Sequence, residues 1–557
     1  MMQVNFQSLI IGLFRFDKLS IFVGIFVIFF SLLILFYSFG FMRKKKGLPR
    51  YYLYIILTLL ASLGAVFSNN LILFMVFWGF LGLLLYLLIG FGGKEKASYT
   101  AKKAFIIIGG TDAFMLLGLA FIWCISGSFD MDKINIALEG KVSILAYLCL
   151  AAGAFAKAGA MPFHTWVPDT AEDAPTTVTA FLPASLDKLL GIYFLARISL
   201  DMFRMNHAMN TMLLVVGSVT IVAAVMMALV QHDLKRLLGY HAVSQVGYMV
   251  LGIGTGNPIG IAGGLFHMLN NTIYKSCLFL GGGAVEKKAG TTDLEKLGGF
   301  ARFMPVTFIT FLIAAFAISG VPPFNGFASK WMIYQGVIET AKNGSHLWIV
   351  WLSAAMLGSA LTLASFMKLV HTVFLGQPSA ESRVTGRELR ETGPTMWIPT
   401  VTLAALCVIF GVFAYSVPLK IFILPALKEN VVFYGVWNPG LATVLILVGI
   451  AIGFVIYLLG LAVRTRQTEI FVGGETLKDN PDMRISGTEF YNTIRDIGPL
   501  KYIYKLAERK VFDIYEVGSK LTFAFNRVLR YIHNGVLPTY LSWCLLGMII
   551  LFYIFLR

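Results

Sequence analysis

The sequence predicts an all-α polytopic membrane protein. Three observations carry that prediction. Of 557 residues, 57% are hydrophobic and only 13% charged. Apolar stretches long enough to cross a hydrocarbon core of about 30 Å recur from Leu19 to Phe555. The basic residues gather in alternate loops. In lipid each stretch must be helical, because only then are its backbone groups satisfied within one segment.

About fourteen spans follow, near 18–42, 51–66, 69–91, 104–125, 142–162, 177–198, 211–231, 236–255, 259–284, a broken one over 303–340, 347–376, 395–416, 437–463 and 536–556. The net charge of +16 is not a nucleic-acid signature, since it is not carried by one soluble domain. One side receives Arg43 to Lys46 with Arg50, then Lys94, Lys96, Lys102 and Lys103, Lys235-Arg236, Lys287-Lys288 with Lys296 and Arg302, Arg383, Arg387 and Arg390, and Arg464 and Arg466. The other side holds Asp130 to Lys141, Arg204, Lys420 and Lys428. With fourteen spans the alternation closes, placing the basic loops in the cytoplasm and both termini outside. The five cysteines are scattered without CxxC spacing, so no metal or iron–sulfur site and no disulfide framework is signalled. Nucleotide-binding glycine motifs are absent as well.

Taken in order, the first span runs into the basic segment 42–50, and 51–66 pairs with 69–91 through Ser68-Asn69-Asn70. The next span carries Asp112 in IIIGGTDAFMLLG. A carboxylate there is either protonated, faced by a cation, or caps a helix distorted at Gly109-Gly110. Lys157 follows in AKAGAMP, five residues before Pro162. It either snorkels to the interface or is desolvated among Ala154, Ala156, Ala158, Gly159 and Ala160, whose small side chains permit close helix packing. The acidic stretch Asp169, Glu172, Asp173 is either solvated or complements the next helix start. Lys188, beside Asp187, is either in a satisfied ion pair near the interface or in a transport path.

Beyond 230 the polar groups become denser. His241, Gln245 and Tyr248 share one helical face, with Lys235 a little earlier in the same run. His267, Asn271 and Lys275 stand at i, i+4 and i+8 of the next span, and three polar side chains in register mark a proton or ion path. Ser319-Gly320 and Pro322-Pro323 then break a span that carries Lys330. Breaks at membrane depth persist only where they line a cavity or are buried in protein, and paired broken helices suit inverted-repeat transporters. Lys368 and His371 are nearer a helix end and are expected to snorkel. In 499–533 apolar residues recur every three or four positions, predicting one amphipathic helix of roughly 50 Å lying along the cytoplasmic face.

The segments KAGAMPFHTWVPDTAEDAPTTVTA, DLKRLLGYHAVSQVGYM, FHMLNNTIYKSCLFL and GVPPFNGFASK together resemble the antiporter-like subunits of respiratory complex I, of multisubunit cation/proton antiporters and of energy-converting membrane-bound hydrogenases. The resemblance covers about 18–463. It implies two inverted five-helix repeats, 51–198 and 211–376, each with a broken helix. An N-terminal helix and basic loop (1–50) precede them. Two further helices (395–463), a cytoplasmic loop with a lateral helix (464–534) and a last span (535–557) follow. It implies Lys157 as the first-channel lysine, Lys235 and His267 as central connecting positions, Lys275 as the motif lysine of its helix, Lys330 as the second-channel lysine and Asp112 as the aspartate of a VGD-type motif.

Three departures stand out. The family's glutamate after the tryptophan, the partner of the first lysine, is Gly79 here, while a usual histidine falls at Pro183 and a second at Asn271. Either Asp112 or Asp187 substitutes for the glutamate, or the first half-channel is impaired. LPASLDKLLGIYFLAR resembles the energy-converting hydrogenase and formate hydrogenlyase branch. The implied function is proton or Na⁺ translocation in the cytoplasmic membrane of a prokaryote, as a subunit of a redox-driven complex. The chain has no redox centre of its own; [NiFe] and iron–sulfur centres are expected in a hydrophilic arm and in partner subunits. Three alternatives remain open: a subunit of a complex I-like quinone oxidoreductase, a secondary Na⁺/H⁺ antiporter, and a non-pumping scaffold.

Overall fold

The computed structural model describes residues 12–93, 95–343, 346–376, 390–427, 429–433, 439–459, 488 and 491–556. Lys94, Arg383, Arg387, Lys428, Arg464 and Arg466, named above among the loop charges, lie outside the described residues, as does the predicted cytoplasmic loop over 464–487. The chain forms two compact units, Met1–Ile494 and Arg495–Arg557.

The first unit is a helical bundle. Its helices are α1 (Lys18–Phe41), α2 (Leu48–Phe67), α3 (Leu71–Ile89), α4 (Glu95–Ser126), α5 (Lys141–Ala158), the short α6 (Trp166–Asp173) and α7 (Thr176–Met202). Then come α8 (His207–Leu229), α9 (Leu234–Gly254), α10 (Pro258–Ala289), α11 (Pro305–Ser319), α12 (Asn325–Glu339), α13 (Trp348–Leu375), α14 (Pro394–Val412), α15 (Tyr415–Ala426) and α16 (Pro439–Leu459). Caps fix several of the starts: Asp17 for α1, Asn70 for α3, Asn206 for α8, Asp233 for α9 and Asn257 for α10 each accept from a backbone N–H of the first turn. Across the whole chain, among the described residues, ten helices are long and apolar enough to cross a membrane.

α9 and α10 are not among those ten, and burial explains it. Nearly every residue of α9, and of α10 from Ile259 to Val285, is buried in protein. A helix covered all round by neighbours need not be apolar toward lipid, so it can carry the polar residues that a lipid-facing helix cannot. The peripheral helices expose Leu53, Ile56, Val76, Ile106 and Leu116 instead.

Contacts sort the segment ends onto two sides. Lys287 donates to the Gly40 carbonyl, and Arg236 and Lys103 meet on Asp169, so the basic segments share one end. At the other end Phe14 bridges Ser68, Asn70 bridges Asp130, and Ile136–Ala137 forms a short parallel ladder with Phe203–Arg204. Two spans are interrupted. α5 ends at Ala158 and the chain resumes in α6; α11 ends at Ser319 and resumes in α12. The first runs toward the basic end and the second away from it.

The second unit contains α17 (Gly498–Glu508), α18 (Ile514–Ile532) and α19 (Leu537–Phe555). The single amphipathic helix expected over 499–533 is therefore two. Lys510 adopts a left-handed φ of 57°, and the N–H groups of Lys510 and Val511 close α17 on the Ala507 and Leu506 carbonyls. Asp513 then caps α18 by accepting from the Tyr515 N–H.

Candidate functional site

The site grows from the two interrupted spans. α5 stops because Gly159 is left-handed at φ 80° and its N–H folds back on the Phe155 carbonyl. That leaves Lys157 in the last turn, where the carbonyl end of a helix favours a cation. Lys157 is fully buried, so it does not snorkel. Its Nζ lies 3.9 Å from Asp187 Oδ1 on α7 and 5.2 Å from the centre of the Trp78 ring. Trp78 Nε1 in turn donates to Asp112 Oδ1 at 3.0 Å. Asp187 is thus the near carboxylate of Lys157, with Asp112 behind the indole. At Gly79, which is partly exposed, a Cβ would meet nothing within 4 Å, so a larger side chain there would meet no clash at its first carbon.

Lys188 does not sit near an interface. It is buried and donates to the Ala158 carbonyl at the end of α5, 6.0 Å from the Trp166 ring. The second break repeats this arrangement: Gly320 is left-handed at φ 81°, and buried Lys330 donates from α12 to the Ile318 carbonyl at 2.8 Å. The Lys330 Nζ stands 4.7 Å from the Tyr248 ring. In both halves a lysine takes carbonyls that a terminated helix leaves without partners, which is how an ammonium is accommodated so deep.

Between the breaks runs a line on α9 and α10. His267 pairs through Nδ1 with Ser329 Oγ at 2.9 Å, and through Nε2 with Gln245 Oε1 at 3.1 Å and Tyr274 OH at 3.3 Å. Ser329 adjoins Lys330 in the chain. Lys275 donates to the Leu238 carbonyl at 2.9 Å, between the Phe279 and Phe366 rings. His241 pairs with Ser365 Oγ of α13 at 2.8 Å. Several fully buried polar atoms here have no hydrogen-bond partner among the described residues: both amide atoms of Asn271, Ser276 Oγ, Gln245 Nε2 and His241 Nδ1.

Some predicted residues lie elsewhere. Lys235 is not joined by hydrogen bonds to His241 or His267; it stands at the basic end, donating to the Ala174 carbonyl at 3.0 Å and Glu286 Oε1 at 3.4 Å. Lys368 does not snorkel. It is buried and donates to the Leu229 carbonyl at 2.8 Å, capping α8. The acidic stretch is engaged in contacts: Asp169 pairs with Lys103 at 2.7 Å and Arg236 at 3.3 Å, Glu172 pairs with Arg236 at 2.6 Å, and Asp173 accepts from Thr100 at 2.7 Å. Trp78, Ser329, Tyr274, Ser365 and Glu286 were missed in the sequence. Trp78, Ser329, Tyr274 and Ser365 carry no charge or spacing signal that distinguishes them from ordinary helix residues; Glu286 is charged, but beside Lys287-Lys288 at a helix end it reads as a loop charge.

At the opposite end a cavity of about 440 Å³ is lined by Arg15, Asp17, Arg197, Asp201, Asn210 and Pro258, among others. Arg197 bonds Asp17 at 2.5 and 2.6 Å and Asp201 at 2.6 Å. Burial pushes the Asp17 carboxyl up, but the hydrogen bond and charge of Arg197, with the Ser20 N–H, hold it well below the usual carboxylate range. Among the described residues no three His, Cys, Asp or Glu side chains cluster as metal ligands.

Residues 68–362 match a family model described as NADH:quinone oxidoreductase/Mrp antiporter, TM, and residues 8–52 match one described as NADH-Ubiquinone oxidoreductase (complex I), chain 5 N-terminus. The chain belongs to this family of antiporter-like membrane subunits. Among its relatives, the F(420)H(2) dehydrogenase subunit L of Methanosarcina mazei is 30% identical over 94% of this chain and 85% of its own length. The Na(+)/H(+) antiporter subunit A1 of Staphylococcus haemolyticus is 32% identical over 71% of this chain. This chain spans only about half the length of that relative, 52%. The fold matches a chain in the structure of the membrane-bound sulfane sulfur reductase, an archaeal respiratory membrane complex, with TM-score 0.78, 22% identity and coverage of 96% and 88% of the two chains.

Proposed function

We propose that this chain is an ion-translocating subunit of a redox-driven, multisubunit membrane complex. Protons or Na⁺ move along a buried line from Lys157 and Asp187, past Lys188 and Lys275, through His267 to Lys330. The observation that carries this reading is the pair of interrupted helices, running in opposite senses, each with a buried lysine on its terminal carbonyls. A merely structural core needs no unpartnered polar atoms. Burying an amide or hydroxyl without a hydrogen bond costs about 1–3 kcal/mol on the mutational scale, and Asn271, Ser276 and Gln245 hold such atoms along the line.

The opposite senses of the breaks support inverted repeats over 51–198 and 211–376, and helices in all the predicted segments support fourteen crossings. The grouping of basic segments at one end supports a cytoplasmic side there and residence in a prokaryotic cytoplasmic membrane. Redox drive is favoured by near full-length similarity to a dehydrogenase subunit. Within that class LPASLDKLLGIYFLAR favours a hydrogenase or formate hydrogenlyase-type complex, with [NiFe] and iron–sulfur centres in partner subunits and a hydrophilic arm. A second reading, a Na⁺/H⁺ antiporter subunit, draws on the 32% identity to subunit A1. Asp187 beside Lys157 weighs against an inert scaffold, since it supplies the carboxylate missing at Gly79.

The test is ion uptake by proteoliposomes of the purified complex. Lys157→Met and Lys330→Met each abolish redox-driven uptake while the complex stays assembled. Uptake at the wild-type level in both variants refutes the relay. Co-purification of iron–sulfur subunits separates the redox-driven complex from the antiporter.

A further inference from the structure

The polar line must exchange ions with the solvent, and the basic end of the bundle holds a carboxylate that no part of the relay uses. Glu286 lies three residues before the end of α10, with its side chain 24% exposed. Its Oε1 is 3.4 Å from Lys235 Nζ, whose side chain is only 2% exposed. Its Oε2 accepts from Thr176 Oγ1 at 2.5 Å, at the start of α7. One carboxylate therefore touches solvent on one side and the buried Lys235 nitrogen on the other. Lys235 stands one turn before Leu238 on α9, a rise of about 4.5 Å, and the Leu238 carbonyl is the acceptor of Lys275.

From Lys275 the unpartnered Ser276 hydroxyl and Asn271 amide lead along α10 toward His267. The charged and titratable groups around Glu286 are few. Tyr37 faces it from α1, and Lys235 faces it from α9 with Asp233 behind. Lys287 and Lys288 adjoin it on α10, with Arg43 and Lys44 near Lys287.

We infer that Glu286, oriented by Thr176, is the proton port of the basic face, passing protons between solvent and Lys235. The step is a plain proton transfer: hydronium gives its proton to the Glu286 carboxylate and becomes water, and the carboxyl gives it to neutral Lys235, which becomes an ammonium. The inference rests on the relay reading above, in its proton-moving form.

The experiment uses vesicles of the whole complex driven by its own electron donor, with uptake followed by a pH dye for wild type, Glu286→Gln, Glu286→Asp and Lys157→Met. Glu286→Gln is expected to slow uptake about tenfold, short of the roughly hundredfold that a positioned acid–base group contributes to an isolated transfer. The loss grows as the medium becomes more alkaline, because hydronium must then reach Lys235 unaided, and Glu286→Asp restores most of the rate. Uptake at the wild-type rate in Glu286→Gln overturns the port whatever Lys157→Met does. A loss that is independent of pH and not restored by aspartate also overturns it, assigning Glu286 to packing. Wild-type uptake in Lys157→Met with a pH-dependent loss in Glu286→Gln overturns the relay and leaves the port standing.

Discussion

Replacing Asp187 with asparagine keeps the volume and removes one charge from a fully buried ionic contact. Lys157 Nζ and Asp187 Oδ1 are 3.9 Å apart with both side chains essentially inaccessible. At an effective dielectric near 20 the attraction across that distance is about 4 kcal/mol. Asp112 is the more distant carboxylate and is engaged by Trp78, so it does not replace what is lost. Asp187→Asn is therefore expected to abolish most redox-driven ion uptake per electron pair, while Asp112→Asn has a smaller effect. The measurement is uptake in proteoliposomes normalised to redox turnover. Uptake within about twofold of wild type in Asp187→Asn refutes the assignment of Asp187 as the working partner of Lys157.

Other outcomes follow from the same geometry. Gly79→Glu enters open space, so it leaves melting of the purified complex unchanged and restores part of the uptake lost in Asp187→Asn; no recovery in the double variant refutes it. Gly159→Ala and Gly320→Ala force a side chain into the left-handed region at φ 80° and 81°. Each costs about 1–2 kcal/mol, read as a lower Tm in detergent. Lys368→Met strands the Leu229 and Gln231 carbonyls, costing about 1–3 kcal/mol and lowering Tm while ion uptake per turnover stays at the wild-type level. Asp17 is held below its ordinary value by Arg197, so its contribution to stability is present above about pH 4 and is lost as pH falls further. Asp17→Asn then melts lower than wild type at neutral pH, and the difference disappears in acid.

Much of the candidate site was legible because helical spacing is local. Asn271 and Lys275 follow His267 at i+4 and i+8, and the structure finds that face turned into protein. The breaks were legible from Gly159 with Pro162 and Gly320 with Pro322-Pro323, since a left-handed glycine and a proline each end a helix by local geometry. Lys368 was misread because distance from a helix end says nothing about which neighbouring helix stops beside it. The lateral helix was read as continuous because apolar spacing survives across 509–513, although Asp513 followed by Glu516 is an N-terminal capping pattern within that stretch.

The sequence by itself determined that the chain is a bundle of membrane helices, where two of them break, and which side chains share a face. These are matters of composition and of the fixed rise and turn of a helix. The tertiary structure decided which carboxylate meets Lys157, which carbonyls Lys188, Lys330 and Lys368 take, and that Lys235 looks to Glu286 at the surface rather than to the histidines. Partners across helices depend on rotation, depth and crossing, which no single helix encodes.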